Sequence, residues 1–110
     1  MEEKSVFVQV FGEYPLIKVL DFLITFREFD YPLTEIAENS GVGWTTLHTF
    51  WPKLEKLEIV KQTRQIGRAK LYKLNQENPI VKNIMRLDSR MCAYYAEKGE
   101  KNKKIAQITR

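Results

Sequence analysis

The sequence predicts an α+β domain in which a core of helices is followed by a β-hairpin and a long final helix. Three observations favour this class. Apolar residues recur at helical spacing in the first half of the chain, and the spacing changes to a two-residue period over residues 59–74. The length of 110 residues, 44% of them hydrophobic, suits one compact domain.

The N-terminal segment predicts a strand and then a helix. β-branched and aromatic residues fill positions 6–11, a composition that favours a strand ending at Gly12. This strand could lie at a subunit interface or pack on its own domain. Pro15 suits the first turn of a helix. Pro32 predicts that this helix has ended by Tyr31, because the residue before a proline is disfavoured in helices.

Two further helices, joined by a tight turn, are predicted next. Thr34 suits the N-cap of the first, which is expected to end near Asn39. Gly41 permits the left-handed backbone conformation of a sharp turn. The second helix is expected to begin near Trp44 and to kink at Pro52. Its inner face is expected to carry Leu47, Phe50 or Trp51, Leu54 and Leu57.

The remaining chain predicts a hairpin and a final helix. Strands are expected over residues 59–64 and 69–74, joined by a turn at residues 65–68. Pro79 opens the last helix, which is expected to end at Gly99. Its apolar residues recur at steps of four and three, which is a heptad pattern: Ile80, Ile84, Leu87, Met91 and Tyr94. This stripe is too long for a small core, so it predicts a homodimer interface, with packing onto its own domain as the alternative.

Residues 33–60, LTEIAENSGVGWTTLHTFWPKLEKLEIV, resemble the helix-turn-helix of bacterial and archaeal MarR/ArsR-type winged-helix regulators. An Ile-Ala pair, a turn glycine, a Thr-Leu pair and a leucine-rich ending carry the resemblance: Ile36, Ala37, Gly41, Thr46, Leu47, Leu54, Leu57, Ile59 and Val60. The next segment, VKQTRQIGRAKLYKLN, resembles the family's wing. The resemblance therefore covers about residues 15–75 and implies a DNA-binding winged helix.

This chain departs from the family pattern at three positions. Gly43 stands where a Ser or Thr usually caps the third helix, and Glu58 stands where a glycine commonly follows that helix. Pro52 inside the helix is also unusual. None of these departures removes the residues that carry the resemblance.

Two groups of residues are candidates for DNA contact. If the leucines of the third helix are buried, its opposite face would enter the major groove with Trp44, Thr45, His48, Thr49 and Lys53. Trp44 could instead pack against the protein. The hairpin would bring cations to phosphates or the minor groove through Arg64, Arg68 and Lys70. The alternative is a hairpin that is merely solvated.

Charge is distributed unevenly along the chain. Residues 1–41 contain three Lys and Arg against eight Asp and Glu, a net charge of −5. Residues 42–110 contain fifteen against six, a net charge of +9. A one-sided positive field attracts a polyphosphate chain, although charges of this kind also occur on ordinary solvated surfaces.

Several classes of protein are disfavoured by the sequence. His48 and Cys92 are the only histidine and cysteine, so no metal cluster or intramolecular disulfide is expected. Cys92 is expected to be a small apolar side chain, with a redox switch or an intermolecular crosslink as the alternative. No phosphate-binding glycine loop or activated nucleophile is present, so we expect neither an enzyme nor a cofactor. No apolar segment approaches membrane-spanning length, and the start lacks a secretory signal, so a cytoplasmic protein is expected.

The sequence thus predicts a winged helix-turn-helix domain with an N-terminal strand over residues 1–78, a dimerisation helix over 79–99 and a basic flexible tail over 100–110. Its expected function is sequence-specific binding of double-stranded DNA by a homodimer on an inverted repeat, to regulate transcription. The alternative is a winged helix that binds proteins in a transcription or replication assembly. The sequence identifies no small-molecule effector.

Overall fold

The computed structural model describes residues 4–101. Helices and strands follow one another along this part of the chain: α1 (Val6–Phe11), α2 (Pro15–Thr25), β1 (Tyr31–Pro32), α3 (Leu33–Ser40), α4 (Trp44–Lys56), β2 (Val60–Ile66), β3 (Ala69–Leu74) and α5 (Pro79–Lys101). The predicted α+β class, with a helical core, a hairpin and a final helix, is confirmed. None of the helices described is both long enough and apolar enough to cross a membrane.

The predicted N-terminal strand is wrong, because residues 6–11 form the helix α1. Ser5 caps this helix: its Oγ accepts a hydrogen bond from the backbone N–H of Val8 at 3.2 Å. The rings of Phe7 and Phe11, one turn apart, lie 5.0 Å from each other. A strand would point successive side chains to opposite faces, whereas this helix buries Val6, Phe7 and Val8 together. Capping and burial therefore outweigh a weak β propensity.

Helices α2, α3 and α4 surround the main core. Its fully buried large side chains come from these helices, from α1 and from the first turn of α5: Trp51, Ile24, Ile36, Leu47, Val6, Val19 and Val81. The start of α2 at Pro15 was predicted correctly. In α3 the N-cap is Pro32, not Thr34, because the chain passes directly from β1 into the helix. The two-residue strand β1 pairs with β3 and so sets where α3 begins.

Helix α4 buries Leu47, Trp51 and Leu54, so Trp51 and not Phe50 is the fully buried aromatic residue on the inner face. Leu57 was expected there too, but 54% of it is exposed. The helix has ended at Lys56, and the chain then reverses through Glu58, whose φ is 58°. Pro52 lies inside the helix, and the kink expected there stays a prediction.

The sheet has three antiparallel strands in the order β1-β3-β2. The hairpin strands β2 and β3 lie close to their predicted positions and meet at Gly67, whose φ is 61°. The register of β2 shifts once: Gln62 pairs with Tyr72, but Arg64 pairs with the adjacent Leu71. Thr63 is therefore an extra residue, and β2 carries a bulge at this point.

Helix α5 runs past Gly99 to Lys101, so the predicted end at Gly99 is wrong. Glycine carries only a modest penalty inside a helix and does not end one without a capping turn. The rest of the predicted tail, residues 102–110, lies outside the described residues. Val81 is fully buried, which fastens the first turn of α5 to the core.

Candidate nucleic-acid interface

The turn between α3 and α4 sets how α4 lies against the core. Gly41 has φ 71° and ψ 32°, the left-handed conformation that glycine adopts without a steric penalty. The backbone N–H of Val42 donates to the carbonyl of Ala37 at 2.9 Å, which closes the end of α3. Nζ of Lys18, on α2, donates to the carbonyl of Gly41 at 3.1 Å. These bonds join the turn to two helices of the core.

The outward side of α4 is polar near its N-terminus. Leu47 is fully buried, whereas the candidate contact residues on the other side of the helix are all exposed: Trp44, Thr45, His48, Thr49 and Lys53. We call these five residues the α4 polar face. Trp44 is 50% exposed and its ring contacts that of His48, with centroids 4.1 Å apart and planes tilted by 52°. The tryptophan therefore packs against its neighbour and still presents surface to a ligand.

Hydrogen bonds within α4 determine what two of these side chains offer a ligand. Nδ1 of His48 lies 2.8 Å from the carbonyl oxygen of Trp44. Because a carbonyl only accepts, this contact is a hydrogen bond when Nδ1 carries the hydrogen, and in that tautomer Nε2 is an acceptor. The hydroxyl of Thr49 donates to the carbonyl of Thr46 at 2.6 Å. Thr49 therefore presents its methyl group and an oxygen lone pair.

The β2–β3 hairpin, which we call the wing, carries cations. Arg64, Arg68 and Lys70 are all exposed, as is every residue from 61 to 70. Arg68 and Lys70 form no ion pair with any residue in the described part of the chain. The structure thus leaves these two charges available at the tip of the wing.

Arg64 differs from the other two cations because its guanidinium is already bound. Nε of Arg64 donates to Oδ2 of Asp30 at 2.9 Å, and Nη2 donates to Oδ1 at 3.1 Å. The hydroxyl of Thr63 donates to the same Oδ2 at 2.5 Å. These donors, with Arg64 first, lower the pKa of Asp30 to about 2, so this carboxylate stays charged at neutral pH.

Sequence reasoning missed Asp30. It lies 34 positions before Arg64, in the segment between α2 and β1. No local spacing pattern links residues so far apart, and only the pairing of β1 and of β2 with β3 brings them together. The bulge at Thr63 was equally invisible in the alternating pattern of β2.

The stripe predicted on α5 is divided between two sides of the helix. Ile84 and Met91 are partly buried and pack against the core cluster. Ile80, Leu87 and Tyr94 are 58%, 44% and 51% exposed. They recur every seventh residue, so they form one row along the helix, which we call the α5 apolar row.

Comparisons with known proteins identify the fold. No family model matches this chain, and no curated protein matches it. Among solved structures, a double mutant of ZitR from Lactococcus lactis has a TM-score of 0.61 at 22% identity, and the match covers 76% of this chain. The apo form of that mutant has a TM-score of 0.63, also at 22% identity, over 86% of this chain. Wild-type ZitR in complex with DNA has a TM-score of 0.56 at 19% identity, over 82%.

ZitR is described as a zinc-responsive member of the MarR family. At these identities the likeness establishes the fold, a winged helix like that of ZitR. The match covers 60% of the ZitR chain in the first of these structures and 74% in the apo form. Over residues 4–101 of this chain, no group of three or more His, Cys, Asp or Glu side chains is placed to hold a metal ion.

Proposed function

We propose that this chain is a cytoplasmic transcription regulator that binds a specific sequence in double-stranded DNA. The observation that carries the proposal is the α4 polar face, exposed at the N-terminal turns of the helix on the side opposite the buried Leu47. The fold matches that of a ZitR chain solved in complex with DNA, which supports DNA as the ligand here.

In the proposed complex, α4 enters the major groove with its N-terminal turns against the bases. Thr45, His48 and Thr49 would read base edges, and Trp44 would contact the sugar or the base beside them. In the tautomer that the contact with Trp44 requires, Nε2 of His48 is an acceptor. We therefore expect it to select a base that presents an exocyclic amino group, adenine or cytosine.

Cations around α4 would hold the phosphates. Lys53 lies one turn beyond the base-reading residues, and Arg68 and Lys70 lie on the wing. Exposed Lys and Arg side chains bind phosphate with little cost when they have no other partner. Arg64 also lies on the wing, but its guanidinium is bonded to Asp30, so we assign it a different role from these three cations.

We further propose a homodimer formed through α5 that binds an inverted repeat. The predicted interface residues are Ile80, Ile84, Leu87, Met91 and Tyr94, and those of the α5 apolar row are exposed enough for a second copy to cover. A two-fold axis would place the two α4 helices about 34 Å apart, on successive major grooves of one face of the DNA.

The test is selection of bound duplexes from a random pool, followed by affinity measurements over a salt series. Wild-type affinity for random duplex should fall roughly a thousandfold between about 50 and 200 mM salt, as for about six bound phosphates per dimer. Arg68→Ala should weaken binding to all sequences and reduce the salt slope by about 1 for each phosphate that is no longer bound. Thr45→Ala or His48→Ala should instead cost about 1–3 kcal/mol on the selected sequence alone.

Lys82→Ala is the control, because Lys82 is an exposed cation on α5 that belongs to neither the α4 polar face, the wing nor the α5 apolar row. It should leave the affinity unchanged. Equal losses on selected and random duplexes for the Thr45 and His48 variants would refute their base-reading roles. Negligible affinity for duplex at low salt would favour the alternative, a winged helix that binds an acidic protein.

A further inference from the structure

We propose that Asp30 is a positioning residue that sets the orientation of the wing by holding Thr63 and Arg64, and that Arg64 acts through this bond and not by neutralising a DNA phosphate. This inference rests on the proposed function for its consequence in DNA binding. The anchoring of the wing can be tested without DNA.

The bulge in β2 places both donors on one carboxylate. In a regular strand, Thr63 and Arg64 would point to opposite faces of the sheet. The register shift between Gln62 and Arg64 breaks this alternation, and both side chains reach Asp30. Bulges commonly redirect a side chain in this way.

The bond crosses the whole sheet. Asp30 immediately precedes β1, and Arg64 lies on β2, with β3 between these two strands. The hydroxyl of Thr63 and the guanidinium of Arg64 both bond this carboxylate, although the two side chains differ greatly in length. Arginine contributes the planar fork, which makes paired bonds to both carboxylate oxygens.

The difference in burial indicates which partner is the anchor. The side chain of Asp30 is 17% exposed, whereas that of Arg64 is 60% exposed. Asp30 is thus held by the body of the domain and accepts the hydrogen bonds from both Thr63 and Arg64. The turn at Gly67 and the ladder join β2 to β3. The bonds to Asp30 join β2 directly to the segment before β1.

The bond also cancels a charge. Paired with Asp30, Arg64 adds no net charge to the wing, so it should release few counterions when DNA binds. Arg68 has no ion pair with the described residues and should release about one. The two arginines of the wing therefore serve different purposes, Arg64 orientation and Arg68 phosphate binding.

The first experiment measures amide hydrogen exchange in residues 62–71 of the free protein. Asp30→Asn and Arg64→Ala should each raise exchange there about fivefold, as expected for a partly exposed ion pair with an added hydrogen bond. The double variant should add nothing further, because both changes remove the same link. Thr63→Val should give a smaller rise, and its controls Thr63→Ser and Arg68→Ala should give none. Unchanged exchange in both single variants would overturn the proposal.

The second experiment measures the salt dependence of duplex binding. Arg64→Ala should weaken binding to the selected sequence and leave the salt slope as in wild type, whereas Arg68→Ala should lower the slope. Asp30→Asn should weaken selected binding as Arg64→Ala does. If Arg64 instead contacts phosphate, Arg64→Ala lowers the slope by about 1, Asp30→Asn tightens binding to random duplex, and the inference is wrong. If the wild type does not bind duplex, the proposed function fails and the exchange result alone decides whether Asp30 anchors the wing.

Discussion

Glu58 is the described non-glycine residue that adopts a positive φ, 58°, two residues after α4 ends. This position is where a helix commonly uses glycine, because a side chain there meets the neighbouring carbonyl. The carbonyl of Glu58 accepts hydrogen bonds from the side-chain amides of Asn75 at 3.0 Å and Asn78 at 2.8 Å. Those bonds hold the chain reversal in place through the backbone and need no particular side chain at position 58.

Glu58→Gly should therefore stabilise the protein by about 1 kcal/mol, since the backbone strain is relieved and the bonds to the carbonyl remain. The midpoint of urea unfolding should rise accordingly. The matched control is Glu55→Gly, at an exposed position inside α4 with ordinary helical geometry, which should lose about 1 kcal/mol. A fall in stability for Glu58→Gly would show that the carboxylate has a stabilising role that outweighs the strain.

At the scale of the element, α1 shows how a short segment obtains its conformation from distant contacts. Ser5 accepts from the N–H of Val8 and also donates its hydroxyl hydrogen to Oδ1 of Asp21 at 2.7 Å. One side chain thus caps α1 and joins it to α2. A six-residue helix is too short to be stable by itself, so it depends on such links and on burial of its apolar side chains.

Ser5→Ala should cost about 1–2 kcal/mol of unfolding free energy, because the cap and the link to Asp21 are lost together. Thermal unfolding followed by circular dichroism measures the change. Ser5→Thr keeps the hydroxyl and is the control; it should lie within about 0.5 kcal/mol of wild type. If the alanine and threonine variants unfold at the same temperature, the hydroxyl of Ser5 contributes nothing to the stability of α1.

The elements that the sequence predicted well are those whose ends carry their own signals. Pro15 and Pro79 mark the first turns of α2 and α5, and Gly67 marks the tip of the wing. These residues restrict or free the backbone locally, so their effect can be seen without knowing the fold.

The features that escaped prediction depend on residues far apart in the chain. α1 requires Asp21, sixteen positions after Ser5, and the wing anchor requires Asp30, 34 positions before Arg64. The candidate residues of the α4 polar face were found from helical spacing alone, and all are exposed. Their contacts with DNA stay a prediction, as does the dimer interface.

At the scale of the whole molecule, the α5 apolar row lies on the side of the helix that does not pack on the core. Val81 is buried on the inner side, whereas Ile80, Leu87 and Tyr94 project outward. α1 packs against α5 and leaves Phe11 40% exposed at its own C-terminal end. Large exposed apolar side chains in a row are typical of an interaction surface.

Leu87→Glu should dissociate the proposed dimer, because two carboxylates would be placed near each other at a desolvated interface. We expect the dissociation constant to rise at least about a hundredfold, measured by sedimentation. Ser89→Glu introduces the same charge on the opposite side of α5, where Ser89 is exposed, and should leave the assembly unchanged. A monomeric wild type, or a dimer unaffected by Leu87→Glu, would exclude this surface as the interface.

The sheet order has a consequence for how copies of this protein can meet. Both outer strands of a three-stranded sheet have an open side on which another chain could add a strand and start aggregation. On one side β1 is only two residues long and contains Pro32, which has no N–H to offer. On the other side β2 is interrupted by its bulge and carries Lys61. Edge-to-edge growth of the sheet is thereby discouraged, so that helices and not strands are left to bring two copies together.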